Sequence, residues 1–348
     1  MGKDDTAKTT YIFLHNFRCT GNALNLALRN YFMHDHVKLG VVNEKVYSHD
    51  EIVKQARARQ PQFILGHNVF GLHRRFDFPC RYFVNLRDPV ERLISGFVTW
   101  SKVQGQSLHD YYQTHEEQSN GMTYRLLGFG KRDQNLVDFN SDKAITAYPD
   151  LNETLFQQAK DNLDEYVDVI LLSELFTESV ANMEHRLQLP ALVCPQGIYF
   201  NQSKTFINAK HFPLREIDQL RENNRWDYEL YQYAKTKLQA QLAQHDSTFW
   251  EAVRIRQLLT AMMKEPGVDV VDGTQVVTKL QNGLNTLLYL GMGKDLVPVI
   301  SLFINSISID IHAARQIVKA LTNILAPNEM EKLSTALLVK EQQLRLAS

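Results

Sequence analysis

Cysteine is scarce. The 348-residue chain holds three, Cys19, Cys80 and Cys194, with no CxxC pair among them. An odd, widely spaced set offers neither a disulfide framework nor zinc-ligand spacing. Surplus charge is missing too. The 38 basic residues face 39 acidic ones, a net charge of −1, so there is no basic field to hold nucleic acid. A single local anion site remains compatible with that balance. Long apolar runs are also absent. The longest, residues 296–309, contains Asn305 and is shorter than the roughly 18–20 residues that span a bilayer. The first ten residues, MGKDDTAKTT, are polar and lead directly into YIFLH, without the apolar core of a secretory leader. The expectation is a soluble, cytoplasmic protein with no transmembrane segment, no nucleic-acid partner and no metal.

What is present reads as an α/β chain. Apolar residues make up 44% and charged residues 22%, ordinary values for a globular protein. Short apolar runs at residues 11–15, 63–65, 81–86 and 167–172 read as buried strands, and each stops at a polar turn. Helix-compatible spacing follows at residues 23–32, 90–100 and up to 189. Strands alternating with helices imply a parallel sheet flanked by helices, whose ligands sit at the carboxyl ends of the strands. Residues 104–160 are mixed helices and loops, and 192–208 are irregular. Residues 215–263 are helical and charged. A breaker, Glu265-Pro266-Gly267, separates residues 1–263 from an all-helical appendage, 268–348, with apolar stripes at Val276, Leu280, Leu284 and Leu287. Those stripes read first as core packing and second as a contact between copies of the chain.

Two polar segments carry the chemistry. His15-Asn16-Phe17-Arg18-Cys19-Thr20-Gly21-Asn22 lies between a strand and a helix, where backbone N–H groups can cradle an anion. Arg18 adds a forked cation suited to phosphate or sulfate oxygens. The GxxxxGK[ST] pattern of common nucleotide hydrolases is absent. The second segment is Leu86-Arg87-Asp88-Pro89-Val90-Glu91-Arg92-Leu93-Ile94-Ser95. Asp88 before Pro89 fits a helix N-cap. Arg87 at the strand end and Ser95 two turns into the helix can share one phosphate. Arg92 reads as a helix-surface charge.

LRDPVERLISGF resembles the 3′-phosphate-binding segment of the sulfotransferase family that includes the heparan sulfate 2-O- and 6-O-sulfotransferases. HNFRCTGNAL is similar to that family's HIPKTGGTTL segment, which wraps a 5′-phosphosulfate. Asn120-Gly121-Met122-Thr123 through Gly128 and Asn224-Arg225-Trp226-Asp227 through Tyr231 are similar to its N-x-x-T-x-x-L-x-G and N-x-x-D-x-x-L-Y stretches. The resemblance covers roughly residues 10–245. It implies a P-loop-like fold and a PAPS-dependent sulfotransferase. PAPS is 3′-phosphoadenosine 5′-phosphosulfate, and its product is PAP. It further implies that Arg87 and Ser95 hold the 3′-phosphate, that Arg18, Cys19, Thr20, Gly21 and Asn22 hold the 5′-phosphosulfate, and that the acceptor is a carbohydrate hydroxyl. The family's loop lysine is Arg18 here, and Thr20 stands where the family has glycine.

Gly66-His67-Asn68-Val69-Phe70-Gly71 is similar to the family's G-H-x-x-F/Y-G segment, which makes His67 the general base, with His15 and His73 as alternatives. Arg18 then steadies charge on the leaving phosphate. Tyr111, Tyr112 and His115 are candidates for the acceptor cleft. Two other readings stay open: a scaffold that binds PAP without transfer, and a kinase or hydrolase.

Overall fold

The computed structural model describes residues 8–31, 35–42, 45–100, 107–108, 111, 119–132, 135–189, 192, 207–263, 283, 292–305, 314–315, 318–319, 321 and 325–347. Tyr112, His115, Cys194 and the stripe Val276, Leu280, Leu284 and Leu287 lie outside the described residues, as does the breaker at 265–267.

The chain opens with β1 (Thr10–His15), then α1 (Gly21–Tyr31), β2 (His36–Lys38), a hairpin of β3 (Gly40–Val42) and β4 (Lys45–Tyr47), and α2 (His49–Arg59). Next come β5 (Phe63–Leu65), β6 (Cys80–Leu86), α3 (Pro89–Trp100), α4 (Gly121–Leu127) and a meander of β7 (Phe129–Arg132), β8 (Asn135–Asp138) and β9 (Lys143–Ala144). Then follow α5 (Glu153–Tyr166), β10 (Val167–Leu172), α6 (Phe176–Leu187), α7 (Leu214–Asn223), α8 (Arg225–Leu242), α9 (Ser247–Met263), α10 (Leu296–Asn305) and α11 (Pro327–Ala347).

Contacts divide the chain into two compact units. The first takes residues 1–21, 34–179 and 205–241. Its centre is a five-stranded sheet, ordered β10-β6-β1-β5-β2, with every neighbouring pair parallel. Buried on both faces, its strands show continuous apolar runs rather than alternation, as such a sheet requires. Ile12, Phe13, Leu14, Phe63, Ile64, Phe83 and Val84 are fully enclosed. Burying each is worth about 1.5–3 kcal/mol relative to exposure. Sheet order decides where function sits. The chain leaves β1 towards the β2 edge, returns through β5 and then crosses to β6 and β10. β1 therefore lies at the switch point, where a ligand crevice opens beyond the carboxyl ends.

The four strands expected from sequence are all in this sheet. Its fifth, β2, is three residues long with only Val37 buried, too short for a periodic pattern. The β7–β9 meander is a further difference, in a stretch expected to hold helices and loops. The helical stretch expected over 215–263 is three helices, divided at Asn224 and at residues 243–246.

The second unit takes residues 22–33, 180–204 and 242–348. Its core joins Ile255 and Leu259 of α9 to Leu296, Val299, Ile300 and Phe303 of α10 and Leu333 of α11. This grouping by contacts cuts the chain at other places than 263 and 268, because α9 packs with the C-terminal helices. Arg256 pairs with Glu184, whose other oxygen accepts from the Leu192 N–H at 2.6 Å. Burial raises the Glu184 carboxyl to about 7 against the pull of Arg256. No helix among the described residues is long and apolar enough to cross a membrane.

Candidate active site

The loop after β1 is held by Asn85, near the end of β6 and paired in register with His15. The Asn85 side chain accepts from the Asn16 N–H at 2.7 Å and donates to the Cys19 carbonyl at 2.7 Å, while the Asn16 amide donates to the Asn85 carbonyl at 2.8 Å. One buried asparagine thus fixes both ends of the turn. Gly21 is required by space: a Cβ there would stand 2.2 Å from the His15 ring. Arg18 and Thr20 both take left-handed backbone, at φ 61° and 62°. For β-branched Thr20 this is a strained conformation of the kind that clusters at functional sites.

The loop brings the expected anion ligands together. Arg18 Nε donates to Ser95 Oγ at 3.1 Å, and Arg87 Nη1 donates to the Arg18 carbonyl at 3.2 Å. Burial first, and the neighbouring Arg87 second, lower the Arg18 pKa. Thr20 Oγ1 donates to Ser173 Oγ at 3.0 Å. One guanidinium thus meets the Ser95 hydroxyl and the second meets the backbone of the first, and two cations held this close favour a bound anion. Glu91 approaches Arg87 only to 4.0 Å. Arg18 therefore stands on the Ser95 side of the loop, beside Arg87, rather than apart from that pair. Cys19 is buried, its thiol pushed up to about 12 by burial, so it supplies only its backbone. Asn22 is exposed on the second residue of α1.

Asp88 caps α3 as expected, accepting from the N–H groups of Val90 at 3.0 Å and Glu91 at 3.1 Å. Arg92 corrects the sequence reading. It is buried and faces the fully buried Asp227 at 3.4 Å. Asp227 also accepts from the Met122 N–H, the Thr123 N–H and the Thr123 hydroxyl at 2.8–3.1 Å. Asn120 reciprocates: its side-chain oxygen accepts from the N–H groups of Trp226 and Asp227, and its own N–H donates to Asn224. The two asparagine-led motifs, about a hundred residues apart, are one lock joining α4 to the start of α8, with Arg92 tying in α3.

The residues just before Arg18 line a cavity of about 420 Å³, shared with His67, with Arg92 of α3, with Tyr124 and Arg125 of α4, and with Tyr148, among others. No carboxylate lines it among the described residues. Tyr124 stacks on Tyr148 with ring centroids 4.5 Å apart. Tyr111 is not part of it; it is buried edge-on against Phe97.

His67 follows β5. Gly66 makes the turn at φ 116°, where a Cβ would meet Leu39 at 2.7 Å. The imidazole is sandwiched between the His15 ring at 4.2 Å and the Phe17 ring at 4.1 Å. Its Nδ1 lies 3.0 Å from the His15 carbonyl. A carbonyl only accepts, so Nδ1 carries the proton and Nε2 keeps the lone pair. Burial, then the charge of Arg125, lower its pKa to about 4. His15 is driven well below the usual range, chiefly by burial. His73 bonds Tyr82 at 2.7 Å through Nδ1, towards the amino end of β6 and away from the crevice.

Sequence reading missed Asn85 and Arg125. Asn85 was signalled only by a polar residue inside the strand RYFVNL, and Arg125 by nothing local. Compared with known proteins, a model of the Sulfotransferase family matches residues 45–234, more than half of the chain. The match includes His67, Arg87, Ser95 and both asparagine motifs. No curated protein matches the chain.

Proposed function

Because the chain belongs to the sulfotransferase family, we propose that it transfers a sulfuryl group from PAPS to a carbohydrate hydroxyl, with His67 as the base. The observation that carries this reading is the joint placement of two sites on one loop. Arg18 gathers with Arg87 and Ser95, and Asn16 and Phe17, next to it in the chain, line a cavity with His67.

The residues present fit the donor. Arg87, Arg18 and Ser95 supply cationic and hydroxyl donors for a phosphate, and the turn from Thr20 to Gly21 runs straight into the N-terminus of α1. PAPS supplies an activated sulfuryl group whose leaving group is a phosphate. Neutral His67, its proton fixed on Nδ1, takes the acceptor proton at Nε2 as the acceptor oxygen bonds to sulfur. The low pKa keeps His67 unprotonated through neutral pH. The aromatic pair Tyr124 and Tyr148 offers a flat wall for a sugar ring.

A second reading has its own support. Arg18 is engaged with Ser95, and the loop carries two strained residues, which suits a scaffold that binds PAP without transfer. Release of PAP from PAPS, measured with and without a panel of mono- and oligosaccharides, separates the two. Acceptor-dependent release that is lost in His67→Ala supports transfer. Tight PAP binding with no release over the whole panel supports the scaffold.

A further inference from the structure

Arg125 touches the backbone that carries the base and the ring stacked on it. Its Nη1 donates to the carbonyls of His67 at 3.1 Å and Asn68 at 2.9 Å. Its guanidinium lies over the Phe17 ring, 4.7 Å from the centroid, and Phe17 stacks on His67. Its own carbonyl accepts from the Phe70 N–H at 2.9 Å. Guanidinium, phenyl ring and two imidazoles therefore form a column, Arg125, Phe17, His67, His15, which continues through Phe13 and Phe83 into the sheet. Arg125 closes the end of that column at the cavity.

We propose, resting on the reading of His67 as the base, that Arg125 is a positioning residue for the transfer: it fixes the plane and tautomer of the His67 imidazole from two directions, through the His67–Asn68 backbone and through Phe17. The backbone bonds hold the segment that carries the ring. The stack holds the ring in the orientation in which Nδ1 meets the His15 carbonyl. Only a planar, forked cation does both; a lysine could keep the charge and one carbonyl but has no plane to lay on Phe17.

Its charge has a second consequence. The groups that face His67 from its neighbours are His15 on β1, Lys38 on β2 and Arg125 on α4, and Arg125 gives the largest charge effect among them. Around the same cavity stand His49, Arg92, Tyr124, Lys131 and Tyr148. With no carboxylate in that lining among the described residues, no anion offsets Arg125, and the imidazolium form is disfavoured.

The test needs no acceptor. Histidine ring signals of the labelled full chain are followed by NMR from about pH 5 to about pH 8, with His67→Gln assigning the resonance. Wild-type His67, with its pKa near 4, should stay neutral over this range with one tautomer. Arg125→Gln should raise its titration by about one unit or more. Arg125→Lys should keep the titration low while mixing the tautomers. Phe17→Leu leaves Arg125 in place and should mix the tautomers as well, which keeps the proposal testable if an Arg125 variant fails to fold. Unchanged titration and tautomer in the folded variants overturns it. Calorimetry with PAP on the same wild-type sample tests the donor reading separately, since absence of PAP binding leaves the His67 titrations untouched.

Discussion

The two halves of the β1 loop do opposite things with the same backbone. Residues 18–20 turn charge and hydroxyls towards Ser95, Arg87 and Ser173. Residues 16–17 line a cavity with neutral His67, the stacked pair Tyr124 and Tyr148, and the cations Arg92, Arg125 and Lys131. One half suits an anion that binds through charge. The other suits a neutral proton acceptor beside a flat organic surface. A transferred group must cross between such regions, and a strained turn clamped by Asn85 keeps them apart by a few residues only.

The contrast can be broken one half at a time. The largest effect is expected from His67→Ala, which should cost about 10²–10⁴-fold in turnover and leave PAP affinity unchanged, as read by steady-state rates and calorimetry. Asp227→Asn should follow. It removes the carboxylate from beside buried Arg92 and loosens the lock on α4, at about 3–5 kcal/mol of stability, measured by denaturant unfolding. Arg87→Ala should weaken PAP by about 100-fold, in line with about 2–3 kcal/mol for a charge-assisted bond, while His67 titrates as before.

The smallest effect is that of pH. In the first unit, His15, His67 and His73 have folded pKa values below the ordinary 6.5. The unfolded chain binds more protons, so their contribution is present above about pH 6.5 and is lost as pH falls towards 4. Glu184 in the second unit has the opposite sign. Its folded pKa is raised to about 7, so its contribution is present below the ordinary carboxyl value and is lost as pH rises through 7. Thermal unfolding of Glu184→Gln should therefore lose the fall in stability between the ordinary carboxyl value and about pH 7 and show a steeper histidine-driven rise over the same range.

The grouping of Arg87, Asp88 and Ser95 was legible in the sequence, and the partners of His67 mostly were not. Arg87, Asp88 and Ser95 lie within nine residues, at a strand end and along one helix, so local spacing places them. Four of the five strands announced themselves because enclosure on both faces demands unbroken apolar runs, even in three-residue β5, whereas β2, of equal length, buries only Val37. Arg92 was misread because its own helix gives no sign of Asp227, 135 residues later. Arg125 stayed hidden for the same reason: its partners, Phe17, His67 and Asn68, are on two other segments brought in by the sheet. The asparagine motifs were visible as patterns, but only the fold reveals that they bind each other.

The most direct test of the central claim is a calorimetric titration with PAP and with ADP, which lacks the 3′-phosphate, on wild type and Arg87→Ala. Wild type should bind PAP and bind ADP much more weakly, and Arg87→Ala should lose that difference. Equal affinity of folded wild type for both nucleotides, or no affinity for PAP, would contradict it.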